Sequence, residues 1–240
     1  MNPFVQFVKD LSGKIGGGFS SLNQNDPSNM AYLRNLEREM KNANTLDLPF
    51  DDLSITVFDL ETTGFYPYNG DQILSIGAVK VKGDQIIDSQ TFYTLVGTDA
   101  APSKDIEELT GITSSMIEDA PPLRDALKSF YQYVKADLLV AHHANHEKQF
   151  MNHATWIALK KRFQHRIVDT AFLTKVLPNQ QGLLTLDECC EHFGIGIQKR
   201  HHALYDSLAT AELWVACIKQ LKKEGYTNLN EIYTKIATME

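Results

Sequence analysis

The chain has 240 residues, 43% hydrophobic and 22% charged, with a formal net charge of −7. That length suits one sizeable domain with an appendage, and the composition is ordinary for a globular protein. No run of about 18 apolar residues occurs, which argues against a membrane span, and the acidic balance restricts any nucleic-acid contact to a short local surface or one helped by bound cations.

The N-terminus MNPFVQFVKDLSGKIGGGFSS lacks the basic start and solid apolar core of a secretory signal. The three cysteines have no metal-type spacing. A reduced, cytoplasmic setting is the expectation. Residues 1–50 hold five acidic and five basic side chains, so the negative balance lies wholly in 51–240. Gly16–Gly18 and the polar stretch SSLNQNDPSN read as a flexible arm. Tyr32, Leu33 and Leu36 predict one helix over Met30–Met40. The division is therefore an arm over 1–50, partly helical or flexible, a main domain over 51–225, and a C-terminal helix packed on it over 226–240.

From residue 53 onward the patterns are regular. Ser54–Glu61 alternates as a strand, so Ile55, Val57, Asp59 and Glu61 line one face and Thr56, Phe58 and Leu60 the other. Gln72–Lys82 and Gln85–Leu95 follow as strands around a Gly83-Asp84 turn. A short helix near Ile106–Leu109 precedes a turn at Gly111. Leu123–Lys135 is a helix with Ala126, Leu127, Phe130 and Val134 on one stripe. Leu138–His142 is a strand, His146–Phe163 a helix, and Arg166–Asp169 a strand. Helices follow at Leu186–Phe193, Asp206–Glu224 and Asn230–Ala237. Three antiparallel strands followed by alternating helices and strands predict an α/β fold. Its sheet is mixed and five-stranded, with helices on both faces.

Acids stand where apolar residues belong. Glu147 begins a stripe continued by Phe150, Met151, Ala154 and Ala158. Asp206 begins another, continued by Ala209, Thr210, Leu213 and Cys217. A single acid in a first turn is accounted for by capping and the helix dipole. Four acids from three elements, Asp59, Glu61, Glu147 and Asp206, all expected to face the core side, are not. Divalent cations resolve the repulsion, because carboxylate oxygens are the donors that hard ions prefer.

Three segments carry a family resemblance: FDLETTG (Phe58–Gly64), VAHHANHEKQF (Val140–Phe150) and HHALYDSLATAEL (His201–Leu213). With the connecting LTGITSSMIEDAPP (Leu109–Pro122), residues 52–220 resemble the DEDDh 3′–5′ exonucleases, the family of the proofreading epsilon subunit of bacterial replicative polymerases. The resemblance implies an RNase H-like fold and two divalent cations, Mg²⁺ or Mn²⁺, held by Asp59, Glu61, Glu147 and Asp206. It implies His201 as general base. Thr62, Thr63 and Gly64 would touch the terminal nucleotide through backbone or hydroxyl groups, Phe65 would stack on or wedge between bases, and His142 would contact substrate. The implied reaction releases nucleoside 5′-monophosphates from single-stranded DNA 3′ ends, in proofreading or repair. RNA trimming and a catalytically weak subunit that binds nucleic acid or a polymerase are the alternatives.

The second motif departs from the family's A-H-N-A-x-F-D, with His143, His146 and Glu147 at three of its positions. The longer glutamate predicts a shifted metal preference, since Mg²⁺ demands near-ideal octahedral geometry. A zinc site on His142, His143 and His146 is the rival reading. It lacks H-E-x-x-H, and rings across a strand–turn–helix diverge. Asp169 ends a strand near the expected site or caps the segment after it. Lys199 and Arg200 are either phosphate contacts or solvated charges. Thr45–Phe50, TLDLPF, is similar to sliding-clamp peptides but has Thr45 for glutamine. The other reading packs Leu46, Leu48 and Phe50 on the domain.

Overall fold

Burial on both faces along most of its length makes β1 (Ser54–Thr62) the centre of the molecule. It lies in a five-stranded sheet with β2 (Ile73–Lys82), β3 (Gln85–Leu95), β4 (Leu138–Ala141) and β5 (Ile167–Asp169), in the order β3-β2-β1-β4-β5. The first three strands pair antiparallel, and β4 and β5 join parallel. This is the mixed sheet the sequence predicts. The structure, a computed structural model, describes residues 45–160, 162–178 and 183–239. The helix expected over Met30–Met40, and the rest of the arm up to residue 44, lie outside the described residues.

Eight helices among the described residues cover the sheet. They are α1 (Lys104–Thr110), α2 (Ser114–Glu118), α3 (Leu123–Val134), α4 (Asn145–Leu159), α5 (Ala171–Val176), α6 (Leu186–Phe193), α7 (Ala203–Lys223) and α8 (Leu229–Ala237). The two faces of β1 feed two separate cores. Ile55 and Val57 pack with Ala209, Leu213, Trp214 and Cys217 of α7 and with residues of α6 and α8. Phe58 and Leu60 pack with Ala126, Leu127, Phe130 and Val134 of α3 and with Phe150 and Met151 of α4. Each fully buried Leu or Phe contributes about 1.5–3 kcal/mol. The three cysteines are buried and unpaired.

Two helix boundaries differ from expectation by three residues or more. Helix α4 stops at Leu159, not Phe163, because Lys160 turns left-handed at φ 55°. Helix α7 begins at Ala203, three residues before Asp206, which stays in its first turn. The helices α2 and α5, five and six residues long, are not expected from the sequence, because they are too short to show a period. The TLDLPF segment is used by the core: Phe50 is 2% exposed, Leu46 packs beside it, and their backbones bond to Thr227 and Asn230. Leu46 and Phe50 are thus taken up by the domain as the packing reading expects, whereas Leu48 is 38% exposed and does not pack on it. No helix among the described residues is long and apolar enough to cross a membrane.

Candidate active site

Asp59 and Glu61 leave β1 on the α7 face, past the last apolar residues of that row. The register slips between Glu61 and Thr62, which pair with Ser75 and Ile73, leaving Leu74 as an extra residue. Such a bulge bends the strand and re-aims its side chains beside a site. Asp206 arrives from α7 because Gly77 of β2, the register partner of Asp59, has no side chain. A Cβ at Gly77 would lie 2.2 Å from the Ala203 carbonyl carbon and from the Leu204 nitrogen, so the first turn of α7 rests on bare backbone. The Ser207 hydroxyl lies 2.9 Å from the Gly77 carbonyl and 2.6 Å from the Ala203 carbonyl, so its one proton is shared between strand and helix. An isolated glycine inside a strand pattern was the signal for this close approach.

The result is a cluster in which one oxygen each from Asp59, Glu61 and Asp206 lies within 4.8 Å of the others. Asp59 is half-buried, and Glu61 and Asp206 are buried. Burial first, then the neighbouring acids Glu147, Glu61 and Asp206, hold the Asp59 carboxyl well above the usual range. Burial and Asp206 push Glu61 up to about 8, against the opposing pull of Arg200 and Lys199. Glu147 is 4% exposed and is also pushed up to about 8, by burial and then by Asp169 and Glu61.

Glu147 does not share the face of the other three. Its helix α4 packs in the layer of Phe58 and Leu60, so it reaches the site from the opposite side of the sheet. It stands outside the 4.8 Å set but acts on Asp59 electrostatically. Glu147 faces the interior as expected, but from the layer opposite the other three. Helical periodicity marks an inward face but not the layer into which it faces.

These donors fit a divalent cation. Glu147 Oε2 and Asp206 Oδ1 are buried without a hydrogen-bond partner, and buried polar atoms normally have one. The other Asp206 oxygen accepts from the His201 backbone N–H at 2.9 Å and pairs with Arg200 at 2.6 Å. Arg200 also grips Asp187 of α6 through two bonds, 2.7 and 3.0 Å. Arg200 is thus neither a free phosphate contact nor a solvated charge. Its guanidinium fork matches carboxylates, but no local pattern pointed to Asp187, thirteen residues away.

His201 is half-buried beside Asp206, with a left-handed backbone at φ 57° that directs its N–H to that carboxylate. A non-glycine residue in this region is held by its surroundings, as happens at functional sites. In the FDLETTG turn, Thr62 donates its hydroxyl to the Gly64 carbonyl, 2.7 Å. Thr63 bonds Asp71 and accepts from the Gln72 N–H. Both hydroxyls therefore build the turn, as does the Thr63 N–H, which donates to the Gln72 carbonyl at 2.9 Å. A Cβ on Gly64 would meet the Asp71 carboxylate at 2.5 Å. Phe65 points outward, 76% exposed.

The expected substrate role of His142 does not fit. Its ring is buried, with Nδ1 2.7 Å from the Thr170 hydroxyl and Nε2 3.3 Å from the Leu184 carbonyl, so both nitrogens are engaged within the fold. His143 is exposed and His146 lies against Phe65 and Phe150. The three histidines form no metal cluster among the described residues. Asp169 accepts from the N–H groups of His143, Ala144 and Ala171, which fixes the loop that delivers Glu147.

A family model described as Exonuclease (RNase_T) matches residues 56–214. The DNA polymerase III PolC-type of Thermotoga maritima is 34% identical over 188 residues, covering 78% of this chain and 13% of that protein. The DNA polymerase III subunit epsilon-like protein of Rhodobacter capsulatus is 31% identical over 192 residues, covering 79% and 27%. The chain thus spans well under a third of either relative. Exonuclease X in complex with 5′ overhanging duplex DNA superposes with a TM-score of 0.57 at 21% identity, over 74% of this chain and 98% of that one. E. coli Exonuclease I in complex with a dA16 oligonucleotide superposes at 0.59 and 13% identity, over 72% and 42%. These two likenesses bear on the fold.

Proposed function

Since the chain belongs to the exonuclease family whose model spans residues 56–214, we propose that it is a metal-dependent 3′–5′ exonuclease releasing nucleoside 5′-monophosphates from single-stranded DNA ends. The observation that carries this reading is the trio Asp59, Glu61 and Asp206, with oxygens within 4.8 Å from two different elements. Asp59, Glu61 and Asp206 would hold Mg²⁺ or Mn²⁺, with Glu147 as the fourth ligand. When bound, such ions supply Lewis-acid stabilisation of the charge that develops on the phosphoryl group.

The chain's own residues do the rest. His201 accepts a proton from the attacking water, a task suited to an imidazole whose ordinary pKa is near neutral. The Thr62–Gly64 turn places its backbone along the terminal nucleotide, and Phe65 offers a ring to its base. Arg200 keeps Asp206 oriented through the Asp187 grip. The catalytic unit in this reading is 51–225, with 226–240 packed on it. The names of the relatives favour work beside a replicative polymerase, in proofreading or repair.

The test uses 5′-labelled single-stranded DNA and RNA oligonucleotides with Mg²⁺ or Mn²⁺, each with and without chelator. A ladder that shortens from the 3′ end, released mononucleotides and full inhibition by chelator are expected. Asp59→Asn should cut the rate at least about a thousandfold, since several kcal/mol of charge stabilisation leave with the ion. Intact oligonucleotides with both ions, or a ladder indifferent to chelator, would overturn the reading. Shortening of RNA alone would replace DNA with RNA as substrate.

A further inference from the structure

Large aromatic side chains normally find cover, yet Tyr66 and Tyr68 are each 66% exposed and Trp156 is 55% exposed, close to Phe65 in the chain or across from it on α4. Phe65, Tyr68 and Trp156 mark a row along that helix. The Phe65 ring meets His146 at 5.9 Å, and the Tyr68 ring meets His153 at 5.0 Å. His146 and His153 are two turns apart on one face of α4, and Trp156 follows at the next i+3 position. At 1.5 Å per residue the row runs about 15 Å from His146 to Trp156. It starts beside the Thr62–Gly64 turn and ends in a recess of about 320 Å³ lined by Tyr68, Asn152, His153, Trp156, Arg162 and Phe163.

The chemistry of that recess is selective. Its walls are flat rings; among the described residues its lining brings a guanidinium and no carboxylate, on a chain with a net charge of −7. An anion with flat faces matches those walls. Rings interleaved with a cation are how single strands are held without sequence preference, and arginine suits phosphate. The span of about 15 Å equals about four stacked nucleotides at ~3.4 Å each.

We propose that the Tyr68–Trp156–Arg162 recess is a second nucleotide-binding subsite, which holds the single strand several nucleotides 5′ of the end being cut. A base stacks on Tyr68 and Trp156, and a flanking phosphate meets Arg162. The inference rests on the exonuclease reading for the strand's direction. It makes the enzyme sensitive to strand length: a dinucleotide fills the acid site alone, whereas a longer strand fills both.

Trp156 is exposed and the other tryptophan, Trp214, is 1% exposed, so a stacked base quenches Trp156 selectively. Chelated, metal-free protein is titrated with dT2, dT16 and U16 while tryptophan emission is followed. Quenching by dT16 but not dT2 is expected, and Trp156→Phe removes the response. Tyr68→Ala and Arg162→Ala should each weaken dT16 binding about tenfold. With Mn²⁺, the same variants should raise KM for dT16 while hydrolysis of dT2 stays at the parent rate. Equal quenching by U16 supports a subsite indifferent to the sugar. Unchanged emission with both sixteen-mers, or parent-like affinity in both variants, overturns the subsite. Hydrolysis of dT16 without quenching rejects the subsite and keeps the nuclease. Quenching without hydrolysis does the reverse.

Discussion

Gly77→Ala is expected to disable the site without touching a carboxylate. The added Cβ would stand 2.2 Å from the Ala203 carbonyl carbon and the Leu204 nitrogen, where ordinary contact begins at 3.4 Å. The first turn of α7 must therefore retreat by about 1 Å, because both obstacles are backbone. Asp206 lies in that turn and moves with it, out of the 4.8 Å set it forms with Asp59 and Glu61. The Ser207 bond to the Gly77 carbonyl, 2.9 Å, stretches as well. Overpacking of this kind costs about 1–3 kcal/mol, less than the ~5–15 kcal/mol stability of a typical domain, so the variant stays folded. A displacement of about 1 Å at a reacting centre costs about a hundredfold in rate. The assay is kcat on a single-stranded oligonucleotide at saturating Mn²⁺, with ion affinity by calorimetry and Tm as a folding control. A folded variant with parental kcat and parental ion affinity would refute the idea that bare backbone at Gly77 positions Asp206.

The same geometry sets three other outcomes. Burial raises Glu61 and Glu147 from an ordinary 4.5 to about 8, so the fold disfavours their ionised forms. Their contribution to stability is present below pH ~4.5 and is lost as pH rises through about 8. Chelated protein should show a lower Tm at pH 8.5 than at pH 5, and Mn²⁺ should restore more at pH 8.5. A flat or rising Tm without metal contradicts this. Arg200→Ala removes a positive charge 2.6 Å from Asp206. A unit pair at about 4 Å is worth ~4 kcal/mol at an effective dielectric of 20, so part of that should appear as roughly tenfold tighter Mn²⁺ binding by calorimetry; weaker binding sinks the expectation. Glu147→Asp shortens a side chain that reaches in from the opposite layer, and should change the ratio of activity in Mg²⁺ to that in Mn²⁺, since Mg²⁺ tolerates less distortion. An identical ratio in variant and parent removes any influence of this position on ion choice.

Much of this protein is written in short-range periodicity. The alternation of Ile55, Val57, Asp59 and Glu61 placed both strand acids on the face they occupy. The stripes Ala126–Val134 and Ala209–Cys217 marked buried faces correctly, because a neighbour at i+2 or i+4 is set by local backbone geometry alone. Asp206 in a first turn was legible for the same reason. Short helices such as Ser114–Glu118 and Ala171–Val176 were not, as one turn gives no period to read. The early stop of α4 at Lys160 carried no glycine or proline signal either.

The sequence by itself determined the strands and the longer helices, their apolar faces and the presence of acids within those faces. Only the tertiary structure decided which acids meet. The parallel crossover carries α4 to the layer opposite α7, so Glu147 enters from the far side. Arg200 finds Asp187 and Asp206 through the packing of α6 near the loop before α7. His142 is turned from a substrate-contact candidate into a buried link between Thr170 and Leu184. The physical reason is one of range. Periodicity is fixed by torsion angles within a few residues, whereas a site depends on distances between segments, and those are set by how whole layers pack.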